Sequence, residues 1–408
     1  MLTHFARPAR RLTIAIALII GLIFLFSRDH GIAARGMGSG PIDVFNSTLG
    51  FGKIFVVNLP ERTDRRDLMT LAAAVTGLEF TYIPGVRGAD IPEKVLPPSP
   101  RKKNVNWAGK TGSWRAHMNV LQRIVQENLT SALIMEDDAD WDIRLKSQAQ
   151  TFAVASQAYL QPLQADPSHT LADLYPALSK ILQEDNYVCD LQSAPATRAP
   201  STSPYGDGWD VLWLGHVGSH IPSDWPSHQK NSDHPPLSLL TLLVPDDGTV
   251  ADKRHLKRHP FADRIDDFAA RFESHTRVVH EARGTAGIQA YAVSQRGARR
   301  LLLKFGLEEF TSSYDLMLRD WCDGAYVEDK GERPVCVTTQ PPLMSQYYSK
   351  GGSDIHGIGG GYFKKSGSTY IRHSVMLNLR KLVWRNTDRP GDIEGLVDQW
   401  PDEGKGPW

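Results

Sequence analysis

Three carboxylates stand in a row at Glu136-Asp137-Asp138, with Asp140 just beyond, directly after the apolar run 131–135. Adjacent like charges repel, so bringing them together in a fold is costly unless a positive partner sits among them. A divalent cation is such a partner. Oxygen donors select Mg²⁺ or Mn²⁺, which bridge one or two carboxylates to a phosphate. The apolar run reads as a buried strand, and ligands of open α/β sheets bind at the carboxyl ends of strands. If the extended backbone continues, a period of two puts Glu136 and Asp138 on one side and Asp137 on the other. Asp138 is then the expected metal ligand, with Glu136 beside the cation or a nucleotide. A solvated acidic turn is the competing reading of the same residues.

A second constellation follows the apolar run 53–59: Asn58-Leu-Pro-Glu-Arg62-Thr-Asp64-Arg65-Arg66. Its three arginines offer planar forks for phosphate or carboxylate. Asp64 either holds one of them or caps the helix that follows. Neither GxGxxG nor the Walker A loop occurs. The third feature, Lys110-Thr-Gly-Ser-Trp-Arg-Ala-His117, opens a helical pattern, and His117 beside an apolar stripe reads as a hydrogen-bonded core residue before a catalytic one. His255 and His259 are flanked by Lys and Arg, which fits a solvated face rather than a metal site.

These residues need a scaffold, and the chain supplies the pattern of one. Strand-like runs at 53–59, 80–83, 131–135, 209–215 and 286–294 alternate with helical stretches at 67–75, around Trp114, Met118, Leu121 and Val125, and from Gly297 to Leu303. That alternation predicts an α/β sheet covered on both faces. The segments 144–208 and 245–275 differ in composition and read as insertions. The chain has 408 residues, 41% of them hydrophobic, and 46 basic against 46 acidic side chains. This balance suits a globular protein and disfavours sequence-independent nucleic-acid binding, which needs a positive surplus. Three cysteines are too few for a disulfide framework; Cys322 and Cys336 either pair in an oxidising compartment or stay buried thiols. Arg7, Arg10 and Arg11 precede an uncharged run at 12–27, which spans roughly 24 Å as a helix against about 30 Å of bilayer core. A signal anchor with its basic end cytosolic and the remainder lumenal is favoured over a cleaved signal peptide. Asn46 and Asn128 head N-glycosylation tripeptides, of which Asn46 is the better placed.

Four blocks in order resemble glycosyltransferase family 25, the lipopolysaccharide and collagen galactosyltransferase-like family. They are VNLPERTDRR, GKTGSWRAHMNVLQRIVQENLTSALIMEDDADW, GTAGIQAYAVSQRGARRLL, and the later pair SYDLMLRD and TQPPLMSQ. The likeness runs over roughly 53–353; Lys110, Ser113 and Ala116 depart from the family's pattern around the His helix. The resemblance implies a GT-A-type nucleotide-sugar transferase fold, a Rossmann-like mixed sheet flanked by helices, which the one transmembrane helix expected at 12–27 would precede. It implies a DxD-like motif in which Asp138 and Glu136 hold Mn²⁺ or Mg²⁺, with Glu136 and Asp137 also facing the donor diphosphate. Asn58, Arg62 and Asp64 fall on the nucleotide side. The implied donor is UDP-galactose and the implied outcome is inversion, which needs a base for the acceptor hydroxyl. Asp315 is the candidate base and Asp320 the second; Asp315 equally suits a helix cap.

The expected organisation is a cytosolic tail at 1–11, an anchor at 12–27, a stem at 28–50, a transferase domain at 51–365 and a C-terminal extension at 366–408. The expected protein is a single-pass type II membrane hexosyltransferase of the Golgi or ER, acting on a glycan or glycoconjugate and not on nucleic acid. The Gly-rich stretch 351–361, with His356, reads either as a lid or as a connector. A non-catalytic sugar-binding module and a metal-dependent phosphohydrolase are the readings from other classes, since a fold alone does not establish a function.

Overall fold

The apolar run after Gly52 forms β1 (Lys53–Asn58), whose last five residues are buried. A strand buried on both faces belongs inside a sheet with helices on either side. The computed structural model describes residues 43–98, 107–174, 187–222, 238–256, 268–326, 333–348, 367–385 and 391–406. They fall in the unit Gly40–Trp408. The anchor expected at 12–27 and the Gly-rich stretch with His356 lie outside the described residues. Among the described residues no helix is long and apolar enough to cross a membrane.

After β1 comes α1 (Thr63–Thr76), a turn earlier than the pattern at 67–75 predicts. It stops at Gly77, whose φ of 62° is left-handed and whose N–H returns to the last turn, an arrangement that favours glycine. Then follow β2 (Phe80–Pro84), α2 (Trp107–Gln126) and β3 (Ser131–Glu136). Trp114, Met118 and Leu121 are fully buried, as their helical spacing requires. β2 and β3 both pair with β1 in parallel, on opposite sides of it. This is the doubly wound arrangement in which strand ends meet at a crevice.

Beyond β3 the sheet turns mixed. β9 (Ala290–Ser294) lies antiparallel between β3 and β6 (Val211–Gly215). It is shorter than the expected 286–294 because Gly287, at φ 80°, breaks the run. The order continues through β10 (Cys336–Gln340), β8 (Arg277–Glu281), β7 (Thr241–Val244) and β5 (Val188–Asp190). Off this path, β4 (Ala139–Trp141) pairs with β11 (Met344–Tyr348), which also pairs with β12 (Gly367–Ser368).

One face of the sheet is covered by α1, α3 (Leu145–Leu160) and α6 (Val375–Trp384). The other is covered by α2, α4 (Gln295–Leu303) and α5 (Tyr314–Cys322). Two sequence expectations change here. The region 144–208 is read from composition as a surface insertion, yet α3 buries Leu145, Ala149, Phe152, Ala153 and Ala155 in the core. Alanine-rich composition looks bland in a sequence, but small side chains are what let a helix lie close on a sheet. The residues at 366–408, read as an extension, supply β12 and α6, both integral to the packing. Cys322 and Cys336 are joined as a disulfide that ties α5 to β10, with Cα atoms 5.7 Å apart.

Candidate active site

The parallel register of β1 and β3 sets Val57 beside Glu136, so the two strands end together. Asn58, the last residue of β1, donates from its side chain to Asp137 Oδ2 at 2.8 Å and to the carbonyl of Arg62 at 3.2 Å. Arg65, one turn into α1, donates to Asp137 Oδ1 at 2.5 Å and lies 3.4 Å from Asp138 Oδ2. Among Arg62, Arg65 and Arg66, it is Arg65 that compensates the acidic cluster. Sequence spacing offered all three and did not choose among them.

The alternation expected for Glu136, Asp137 and Asp138 does not hold. β3 ends at Glu136, and a turn at 137–138 carries the chain into β4. Asp137 and Asp138 consequently share Arg65, whereas one oxygen of Glu136 is held by His117 of α2. Asp138 is fixed from a third side: Gln346 of β11 donates to its Oδ2 at 3.2 Å, and the Tyr347 N–H donates to its carbonyl at 2.7 Å. Burial, reinforced by the neighbouring charges of Asp137 and Glu136, pushes the Asp138 carboxyl up to about 7 against the pull of Arg65. Burial raises Asp137 as well, although Arg65 and Asn58 oppose it.

Glu136 Oε1 lies 2.9 Å from His117 Nε2. His117 is fully buried, its Nδ1 is 2.9 Å from the Tyr291 hydroxyl, and its ring stacks on Tyr314 at 4.5 Å between centroids and 8° between planes. The Tyr291 hydroxyl in turn donates to that of Tyr314 at 3.2 Å. His117 is thus the hydrogen-bonded core residue expected, and also a direct neighbour of the acidic motif. Tyr291, Tyr314 and Gln346 were not legible as site residues. Two are ordinary buried aromatics by pattern, and the third lies more than 200 positions from its partner.

Asp315 lies in the first turn of α5, next to Tyr314, and its Oδ2 accepts from the Gly287 N–H at 3.4 Å. Two residues beyond Gly287, the Gln289 carbonyl accepts the N–H of Glu136. Asp315 is thereby tied to the loop whose Gln289 carbonyl holds the Glu136 N–H. Asp320 does not share that position. It lies about 7 Å further along the helix and well round it, with its carboxylate held by Arg319 at 2.7 Å. Arg62 and Asp64 form a two-pronged pair with each other, at 2.9 and 2.8 Å, on the rim of the site. The Arg62 hydrogen bond holds the Asp64 carboxyl down at about 2, and Asp64 itself is exposed.

Asp140 is wholly buried beneath this turn. It accepts from the hydroxyls of Ser368 and Ser374 and from the N–H groups of Trp141 and Met376. Burial still pushes its carboxyl up to about 6. It is an anchor for the C-terminal segment and not a ligand.

Among the described residues no three His, Cys, Asp or Glu side chains converge as a complete metal-binding set. The donors that are present nevertheless suit a hard cation. The second oxygens of Glu136 and Asp138 accept no hydrogen bond from the described residues. Two carboxylates, completed by water and phosphate oxygens, are the usual protein contribution to a Mg²⁺ or Mn²⁺ site.

The comparisons with known proteins fall on this same region. Residues 51–172 match the model of glycosyltransferase family 25 (LPS biosynthesis protein). A "Glycosyltransferase 25 family member" of Anopheles gambiae is 30% identical over 106 residues, 24% of this chain and 18% of that protein. "Procollagen galactosyltransferase 1-B" of Xenopus laevis is 27% identical over 113 residues, 25% and 18% of the two chains. A "Glycosyltransferase 25 family member" of Drosophila melanogaster is 27% identical over 124 residues, 26% and 20%. The aligned stretch spans about a fifth of the length of these relatives. Residues 51–172 are thus similar to glycosyltransferase family 25, the family that the sequence blocks resemble. β1, α1, β2, α2, β3 and the acidic turn all lie within it.

Proposed function

We propose that this protein is a hexosyltransferase of the GT-A type. It transfers a sugar, in the first instance galactose, from a UDP-sugar to a hydroxyl of a glycan or glycoconjugate, with inversion and with a divalent cation. The observation that carries this reading is the turn Glu136-Asp137-Asp138 at the carboxyl end of β3, flanked by Asn58 and Arg65 from the neighbouring strand end. The family match over 51–172 and the names of the relatives support the sugar-transfer chemistry and suggest galactose.

Asp138 and Glu136 would hold the cation, Mn²⁺ or Mg²⁺, through their uncommitted oxygens. Bound there, it offsets the charge that builds on the leaving diphosphate. Asn58 and Arg65 keep Asp137 fixed, so that the turn presents its neighbours in one orientation. Arg62 stands on the rim toward the nucleotide, oriented by Asp64. Asp315, tied to the loop that holds the Glu136 N–H, is the base for the acceptor hydroxyl; the position of Asp320 favours it less. We further propose that 12–27 anchors the chain in an ER or Golgi membrane as a type II protein, with the catalytic part lumenal. The Cys322–Cys336 disulfide suits that oxidising compartment.

The test is UDP release from a panel of UDP-sugars by the full-length protein, with Mn²⁺, with EDTA, and with Asp138→Asn. Release from one sugar that is lost with EDTA and in the variant is the expected result. Binding of UDP-sugar without release under any acceptor mixture would overturn the enzymatic reading in favour of a binding module. Cleavage of simple phosphoesters without regard to the sugar would point to a phosphohydrolase.

A further inference from the structure

The acidic motif is held by two sets of partners, and the set around His117 is built with care. His117 is fully buried in α2, yet it spends Nε2 on Glu136 at 2.9 Å. Nε2 and the Glu136 carboxyl share that hydrogen bond, which fixes one of the two carboxyl oxygens. The ring is fixed from two further directions, by the Tyr291 hydroxyl at Nδ1 and by Tyr314 stacked 4.5 Å away. Tyr314 immediately precedes Asp315. One imidazole therefore joins the carboxylate at the end of β3 to the start of the helix that carries the candidate base.

We infer that His117 is a positioning residue. It holds one oxygen of Glu136, backed by the Tyr291 hydroxyl and the Tyr314 ring, so that the other oxygen is directed to the cation. This rests on the reading of Glu136 as a cation ligand given above. Outer partners that orient a metal-binding carboxylate typically cost 10–100-fold in metal affinity or activity when removed.

The test is Mn²⁺ affinity of the full-length protein by titration calorimetry, with UDP release measured separately. His117→Leu should weaken Mn²⁺ binding at least tenfold. His117→Gln, whose amide can still donate toward Glu136, should recover most of that loss. Tyr291→Phe keeps the ring and removes only the hydroxyl, so it reports on the relay even if His117→Leu folds poorly; a three- to tenfold weakening is expected. In a Glu136→Gln background, His117→Leu should have no further effect on Mn²⁺ affinity, since the residue acts through Glu136. Mn²⁺ affinity unchanged in both His117→Leu and Tyr291→Phe would overturn the inference, as would equal losses in the Leu and Gln variants. Full additivity with Glu136→Gln would overturn it too, and so would a wild-type protein that binds no Mn²⁺. The two readings fail separately: Mn²⁺ binding that responds to His117 without UDP release from any sugar sustains the positioning role and refutes the transferase.

Discussion

Removing the Asp138 charge should abolish activity and, in the absence of a cation, make the protein more stable. Burial and two neighbouring carboxylates raise the Asp138 carboxyl from its ordinary 3.8 to about 7. The folded state therefore binds more protons than the unfolded chain between those limits, and stability falls as pH rises from about 4 through about 7. At about 1.4 kcal/mol per unit, the whole shift corresponds to about 4 kcal/mol above pH 7. Asp138 retains some solvent contact, so a realistic gain for Asp138→Asn at pH 8 is about 1–3 kcal/mol. For a chain of this size that is a melting-temperature rise of roughly 1–4 °C. The advantage should shrink by about half at pH 5 and vanish below about pH 4, where both forms are neutral. Thermal melts of wild type and variant in EDTA at pH 5 and pH 8 measure it. Mn²⁺ at about a thousand times its Kd should reverse the order, because ligand at that excess stabilises the binding form by about 4.1 kcal/mol. A variant less stable than wild type at pH 8 in EDTA, or a difference independent of pH, would refute the reasoning about how this carboxylate is held.

Other changes have equally definite outcomes. Gly112→Ala would ordinarily favour a helix by about 1 kcal/mol, but its Cβ would sit 2.3 Å from the Val86 carbonyl. Overpacking of that kind costs about 1–3 kcal/mol, so a lowered melting temperature is expected, with UDP release falling as α2 shifts His117. Asp315→Asn should lower kcat at least a hundredfold with the donor KM nearly unchanged, in keeping with the loss of a general base, whereas Asp320→Asn should stay within about threefold; the reverse ranking would exchange their roles. The unfolded, unreduced protein should show one reactive thiol, Cys189, and three after reduction. Cys322→Ser should cost about 3 kcal/mol in denaturant unfolding.

The first half of the sheet is plain in the sequence because its signals are local. The buried strands β1 and β3 are continuous apolar runs, and α2 shows its stripe through Trp114, Met118 and Leu121. The acidic cluster stands out for the same reason, being three like charges after an apolar run. What stayed hidden is set by distant pairings. The turn at 137–138 exists because β4 must reach β11, and β11 is remote in sequence. That turn ended the expected alternation, so that Asp137 and Asp138 share Arg65 while one oxygen of Glu136 is held by His117. Nothing near Tyr291 or Tyr314 announces that their hydroxyls meet beside His117. α3 was obscured by its own alanines, which carry little hydrophobic signal and pack closely because they are small.

The burial of Asp140 bears on the order in which the protein can be made. Its two serine hydroxyls and the Met376 N–H arrive 228 to 236 positions later in the chain. Synthesis runs from the N-terminus, so the family-matching segment leaves the ribosome long before anything can satisfy this carboxylate. Until 367–376 emerges, the acidic turn has no floor, and Asp138 also lacks Gln346. A chain stopped short of α6 would hold every residue of the acidic motif and still leave it unset. Translation through about residue 376 is in this sense a condition for the site.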